Sequence, residues 1–142
     1  MKVSEAMSRD VRLATPDETI QQAARTMADI EAGVLPVRDN DRLVGMITDR
    51  DIAIRAVAQG KGPDCRVRDV MSGDVKYCFD DQDIDEVSRN MADIQVRRLP
   101  VVDRDKRLVG VLSLGDIANS RARQPAADAL TGISRPGGQH CH

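Results

Sequence analysis

Gly45-Met46-Ile47-Thr48-Asp49-Arg50-Asp51-Ile52-Ala53 returns later in the chain as Gly110-Val111-Leu112-Ser113-Leu114-Gly115-Asp116-Ile117-Ala118. Each copy runs glycine, two apolar residues, a hydroxyl residue, two free positions, a carboxylate and Ile-Ala. The apolar pair reads as the end of a strand, and Ile-Ala as the opening of a helical stretch. A strand-to-helix corner therefore carries a hydroxyl and an acid, in duplicate. Ser or Thr three residues ahead of an acid forms a capping box, in which each side chain satisfies the other residue's backbone N–H. The same corner also suits a ligand: a helix N-terminus attracts phosphate, and a carboxylate can accept the hydroxyls of a ribose.

The repeat extends well beyond the corner. Met7 matches Met71, Ile20 matches Ile84, Met27-Ala28-Asp29-Ile30 matches Met91-Ala92-Asp93-Ile94, and Leu35-Pro36-Val37 matches Leu99-Pro100-Val101. The offset is 64 residues up to that point and 65 after it, because the loop Asp103-Arg104-Asp105-Lys106 holds one more residue than Asp39-Asn40-Asp41. Two copies imply a pseudo-twofold pair rather than a solenoid.

Each copy parses as strand, helix, strand, strand, helix. A short strand (Val11 to Leu13; Tyr77 to Phe79) leads to a polar turn. The helix that follows has Thr19 and Gln22, or Asp83 and Glu86, at the spacing of N-cap and third residue. Ile20, Ala23, Met27 and Ile30 form one face of it, as do Ile84, Val87, Met91 and Ile94 in the second copy. A hairpin follows, with Pro36 or Pro100 requiring its first strand to be short or at an edge. The closing helices run from Asp49 to about Gln59 and from Leu114 to about Arg123. The expected organisation is repeat 1 over 1–60, a linker over 61–66, repeat 2 over 67–121 and a tail over 122–142. Each half alone buries too little surface to stand comfortably, so the fold class is α/β (α+β), two β-α-β-β-α repeats forming one module. An apolar helix face left over would favour a homodimer.

Composition narrows the function. The chain has 142 residues, 41% hydrophobic and 31% charged, with 21 basic against 23 acidic residues. That balance suits a soluble globular protein and argues against nucleic acid, which calls for a basic excess. Tyr77 and Phe79 are the only aromatics, too few for a base-stacking platform. No apolar run approaches a membrane span and no signal peptide opens the chain. The three scattered cysteines, Cys65, Cys78 and Cys141, do not read as a disulfide framework. The expected location is cytoplasmic. The two histidines sit in His140-Cys141-His142, whose spacing lacks the separated pairs of a zinc site, so no metal is expected. Without a histidine in the folded region or a phosphate-binding glycine loop, no catalytic residue is expected either.

Leu-Pro-Val in the hairpin and Gly-x-x-Thr/Ser-x-x-Asp-Ile at the closing helix, both in duplicate, resemble the CBS domain, named after cystathionine beta-synthase. Two in tandem are similar to the CBS pair or Bateman module, over about residues 1 to 121. The resemblance implies a sensor that binds AMP, ADP, ATP, NAD or S-adenosylmethionine in two clefts, often as a homodimer. It further implies that Asp51 and Asp116 hold the ribose diol, with Thr48 and Ser113 beside them, and that each cleft draws on both repeats. Val96, Arg97, Arg98 and Cys78 then join Thr48 and Asp51, with an arginine for phosphate. Thr15, Ala32, Gly33 and Val34 join Ser113 and Asp116, an apolar wall without a matching cation. The alternative is an interaction protein of the same fold that binds no nucleotide, its Thr/Ser–Asp pairs serving as caps alone. Regulation of an unidentified protein partner fits either reading.

Overall fold

The computed structural model describes residues 1–120. It divides into two units: Arg12–Val75, and Met1–Val11 together with the chain from Lys76 on. Each repeat thus contributes its helix and hairpin to one unit, and the segment leading into it to the other.

In the unit Arg12–Val75, Thr19 caps α2 (Ile20–Ile30): its hydroxyl accepts from the Gln22 N–H at 3.2 Å, and the Gln22 side chain accepts from the Thr19 N–H at 2.9 Å. Ile20, Ala23 and Met27 are buried on the expected face, with Ile30 packed beside them. The corresponding helix α4 (Ile84–Ile94) buries Ile84, Val87 and Met91, whereas Ile94 in its last turn is exposed. Its N-terminus departs from the expected box. Asp83 stands at the N-cap but makes no side-chain cap bond. The Ile84 N–H donates to the Met1 carbonyl at 2.9 Å, and the Asp83 carboxylate lies 3.6 Å from the Met1 amino group. The first copy makes the same backbone bond, from the Ile20 N–H to the Cys65 carbonyl at 2.8 Å, beside its Thr19 cap, so α4 differs in lacking the side-chain cap; the segment at its start carries the short helix α1 (Val3–Ala6). Both helices end on a left-handed residue that is not glycine, Glu31 and Gln95, at equivalent positions.

The hairpins follow. β1 (Val34–Asp39) pairs antiparallel with β2 (Arg42–Thr48). β3 (Cys78–Phe79), β4 (Arg98–Val102) and β5 (Leu108–Ser113) form a sheet in the order β3-β4-β5, with β3 parallel to β4. The strand expected over Val11 to Leu13 is reduced to one bridge at Ala14, which takes the Pro36 carbonyl and gives its own to the Arg38 N–H, each at 2.9 Å. Thr15 turns its N–H to the Glu18 carboxylate at 3.1 Å, as Phe79 does to Gln82 at 2.8 Å, and the next ladder donor falls on Pro16, which has no N–H; in the second copy Asp80 stands there and donates to the Val102 carbonyl at 2.9 Å. Pro100 lies in a strand that is short, as expected, yet central. A residue's nitrogen and carbonyl point to the same side of a strand. β3 begins pairing only at Val101, one residue beyond the proline, so the missing N–H costs no ladder bond.

The motif glycines have a packing role. Ser72 exchanges both backbone hydrogen bonds with Met46 at 2.9 Å, and Ser8 does the same with Val111. Each leading segment therefore runs along the outer edge of a hairpin. A Cβ on Gly45 would stand 2.8 Å from the Ser72 carbonyl oxygen and from Met71 Sδ. On Gly110 it would stand 2.7 Å from the Ser8 oxygen and 2.8 Å from Met7 Sδ.

The closing helix after β2 starts as α3 (Asp49–Asp51), widens to a π-turn over Ile52–Ala56 and tightens to 3₁₀ over Val57–Gln59. Its counterpart α5 (Leu114–Asn119) is regular and ends short of the expected Arg123, because Ser120 has an extended backbone (φ −75°, ψ 175°); the tail lies outside the described residues. Around β3, Tyr77 and Phe79 meet edge to face at 5.6 Å. Arg104, from the longer loop, sits 4.2 Å over the Phe79 ring and forks onto Asp81 at 2.7 and 2.8 Å. That hydrogen-bonded guanidinium draws the Asp81 carboxyl below its usual range.

Two measurements check this packing. Gly45→Ala or Gly110→Ala is expected to lower stability by about 1–3 kcal/mol, the cost of overfilling a tight contact, read from urea unfolding; an unchanged midpoint would unseat the leading segments from these edges. Burial, with Asp80 adding to it, pushes the Cys78 thiol up to about 12. Its thiolate is then roughly one part in ten thousand at pH 8. Iodoacetamide is expected to label Cys78 only after unfolding, and labelling of the native protein, mapped by mass spectrometry, would contradict that placement.

Candidate functional site

Each corner forms where a strand that ends in a hydroxyl residue turns directly into a helix. Thr48 and Ser113 have the same extended backbone, φ −117°, ψ 161° and φ −116°, ψ 162°. Thr48 Oγ1 accepts from the Asp51 N–H at 3.0 Å, and Asp51 Oδ2 accepts from the Thr48 N–H at 3.0 Å. Ser113 and Asp116 repeat both bonds at 3.0 Å. The reciprocal cap expected from sequence is complete in both copies. In each it commits one oxygen of the acid, Oδ2.

The residues entering each hairpin meet the corner of their own unit. The Asp49 N–H donates to the Gly33 carbonyl at 2.9 Å, and the Leu114 N–H to the Arg97 carbonyl at 3.0 Å. Val34 pairs across the ladder with Thr48, and Arg98 with Ser113. One unit thus gathers Ala32, Gly33, Val34, Thr48 and Asp51, and the other Val96, Arg97, Arg98, Ser113 and Asp116. The arginine side chains are exposed. Thr15 follows the Ala14 bridge beside β1, and Cys78 is buried in β3 at the equivalent level. Burial makes Cys78 a wall residue at most.

The sequence reading passed over three participants. Asp49 lies over Gly33 closely enough that a Cβ there would stand 2.7 Å from its carboxylate; in the second copy Arg97 faces Leu114 instead. Arg55, four residues after Asp51, brings Nε to 3.8 Å from Asp51 Oδ1. At the position equivalent to Arg55 stands Ser120, whose hydroxyl donates to the Ile117 carbonyl at 2.6 Å. The Asp51/Arg55 spacing is visible in sequence as an i,i+4 ion pair, but nothing there marks it out from other such pairs.

Among the described residues no group of three or more His, Cys, Asp or Glu is placed to hold a metal ion, and His140, Cys141 and His142 lie outside them. No helix of the described residues is long and apolar enough to cross a membrane.

Comparison with known proteins gives the same duplication. The sequence matches the CBS domain over residues 3–57 and again over 67–123. It is 41% identical to the CBS domain-containing protein YhcV of Bacillus subtilis, covering 93% of this chain and 94% of that one. The crystal structure of hypoxic response protein I with two coordinated zinc ions is similar at TM-score 0.73 and 35% identity, over 84% of this chain and 98% of that one; the curated sequence of that name is from Mycobacterium tuberculosis. The CBS domain pair of protein MJ0100, solved in complex with 5′-methylthioadenosine and S-adenosyl-L-methionine, is similar at TM-score 0.68 and 30% identity, over 84% and 94% of the two chains. With two matched domains, each carrying the capped corner, the chain belongs to the CBS-domain family as a CBS pair.

Proposed function

We propose that this chain is a non-catalytic regulatory module of the cytoplasm that binds an adenosine-type metabolite (AMP, ADP, ATP, NAD or S-adenosylmethionine) at its two corners. One observation carries the reading. Each acid is fixed by a cap that uses a single oxygen, so Oδ1 is held in place as a second acceptor beside a helix start. A ribose diol needs such an acceptor, held still before the ligand arrives. The adenosine ligands of the MJ0100 pair support the same class of ligand here. Arg97 and Arg98 supply cations for a phosphate, while Ala32, Gly33 and Val34 supply an apolar surface for a less charged group. Ile54 and Val57, exposed a turn apart on the closing helix, support association with a second copy and action as a homodimer on a protein partner.

The competing reading is an interaction protein that binds no nucleotide. The observation behind it is that both caps are already complete without any ligand.

Asparagine separates the two, because it keeps the oxygen that caps and replaces the other with a donor. Asp51→Asn and Asp116→Asn are each expected to abolish one binding event in calorimetry of refolded protein against AMP, ATP, NAD and S-adenosylmethionine. Stability should stay within about 1 kcal/mol, since asparagine keeps the cap acceptor. Absence of heat with all four compounds would leave the interaction reading standing, and binding untouched by both substitutions would overturn the role of the two corners.

A further inference from the structure

The two corners match in their caps and differ in what lies behind them. Asp51 is largely shielded, with 18% of its side chain exposed, and its uncommitted oxygen faces Arg55 Nε at 3.8 Å. The same guanidinium points Nη1 at the carbonyl oxygens of Val70, at 3.5 Å, and Met71, at 3.4 Å. Those residues belong to the segment leading into the second repeat. Met71 lies against Gly45, and Ser72 completes the edge of β2 through both its backbone bonds to Met46. Arg55 itself sits in the π-turn Ile52–Ala56, a widened helical geometry that often accompanies function. Behind Asp116 there is no cation at the equivalent position, since Ser120 turns back to its own helix.

We infer that Arg55 is a positioning residue for the first corner: it aims the spare oxygen of Asp51 and couples occupancy of that corner to the leading segment at Val70–Ser72. The inference rests on the adenosine-binding reading above. A hydroxyl donating to Asp51 Oδ1 takes up lone-pair density that otherwise attracts Arg55, and the guanidinium then settles on the two carbonyls. The leading segment is fastened more firmly as a result, and local opening that exposes its amides becomes rarer. The second corner lacks this connection, so a ligand there leaves the leading segment of its own unit, Met7–Ser8, as it was.

The test pairs calorimetry with hydrogen exchange, using AMP as the probe and comparing wild type, Arg55→Ala, Arg55→Lys and Asp51→Asn. Arg55→Ala is expected to weaken the Asp51-dependent binding event by about two- to fivefold, the range of one exposed ion pair, and to leave the Asp116-dependent event unchanged. Arg55→Lys, which keeps the charge, should recover most of the loss. AMP should slow exchange of the Met71 and Ser72 amides in wild type and not in Arg55→Ala. Asp51-dependent binding with equal affinity in Arg55→Ala, or without any change at Met71 and Ser72 in wild type, would overturn the role of Arg55 and leave the nucleotide reading intact. Absence of any Asp51-dependent binding in wild type would overturn both.

Discussion

A helix that starts directly from the end of a strand arrives with N–H groups that the strand cannot satisfy, and the corner at Thr48–Asp51 answers that need within four residues. The hydroxyl and the carboxylate each accept one N–H from the other residue, and the Asp49 N–H between them goes to the Gly33 carbonyl. Ser113–Asp116 reproduces it to within a degree in the backbone of its first residue. Everything proposed for function depends on this local solution, because it holds an acid in a fixed pose while engaging only one of its two oxygens. A longer or floppier connection would satisfy the helix equally well and leave nothing rigid to recognise a ligand.

A second constraint works at the sheet edges. A hairpin of two strands is marginal by itself and exposes unpaired backbone groups. Here each outer edge is covered by the Met-Ser step of the segment that leads into the other repeat, and glycine at the start of the corner motif makes room for it. The motif glycine, which from sequence alone reads as a simple spacer, is therefore a packing residue. The same exchange of segments explains why neither unit coincides with one sequence repeat: Met1–Val11 joins the chain from Lys76 on, and the unit Arg12–Val75 includes the segment leading into the second repeat.

Much of this was legible before any coordinates. The helix faces and hairpins declared themselves through period and duplication, and Thr48, Asp51, Ser113 and Asp116 stood at one spacing in both copies. What escaped was whatever depended on a distant partner. Asp83 has the residue type of a cap, yet its carboxylate makes no cap bond and lies 3.6 Å from the Met1 amino group, and no local pattern announces that. The first strand is cut to one bridge at Ala14 because residue 16, whose counterpart Asp80 donates across to Val102, is a proline without an N–H. Arg55 looked like any solvated helical charge, since its two carbonyl partners lie fifteen and sixteen residues away. Local rules fix local geometry; the environment of the acid is set by chain segments that meet only on folding.

The duplicated acids consequently stand in unlike settings. Asp51 has Asp49 on its own turn and Arg55 behind it, while the corner of Asp116 has Arg97 and Arg98 entering its hairpin. The shared element is a spare carboxylate oxygen, and the central claim is that it exists to receive a sugar hydroxyl. The most direct measurement is a crystal structure of the protein grown with 5′-methylthioadenosine, which has the base and the ribose but no phosphate to be drawn to the arginines. The account predicts ribose hydroxyls at hydrogen-bond distance, about 2.5–3.0 Å, from Oδ1 of Asp51 or Asp116. Density for the compound away from both acids, or none in crystals grown at saturating concentration, would contradict it.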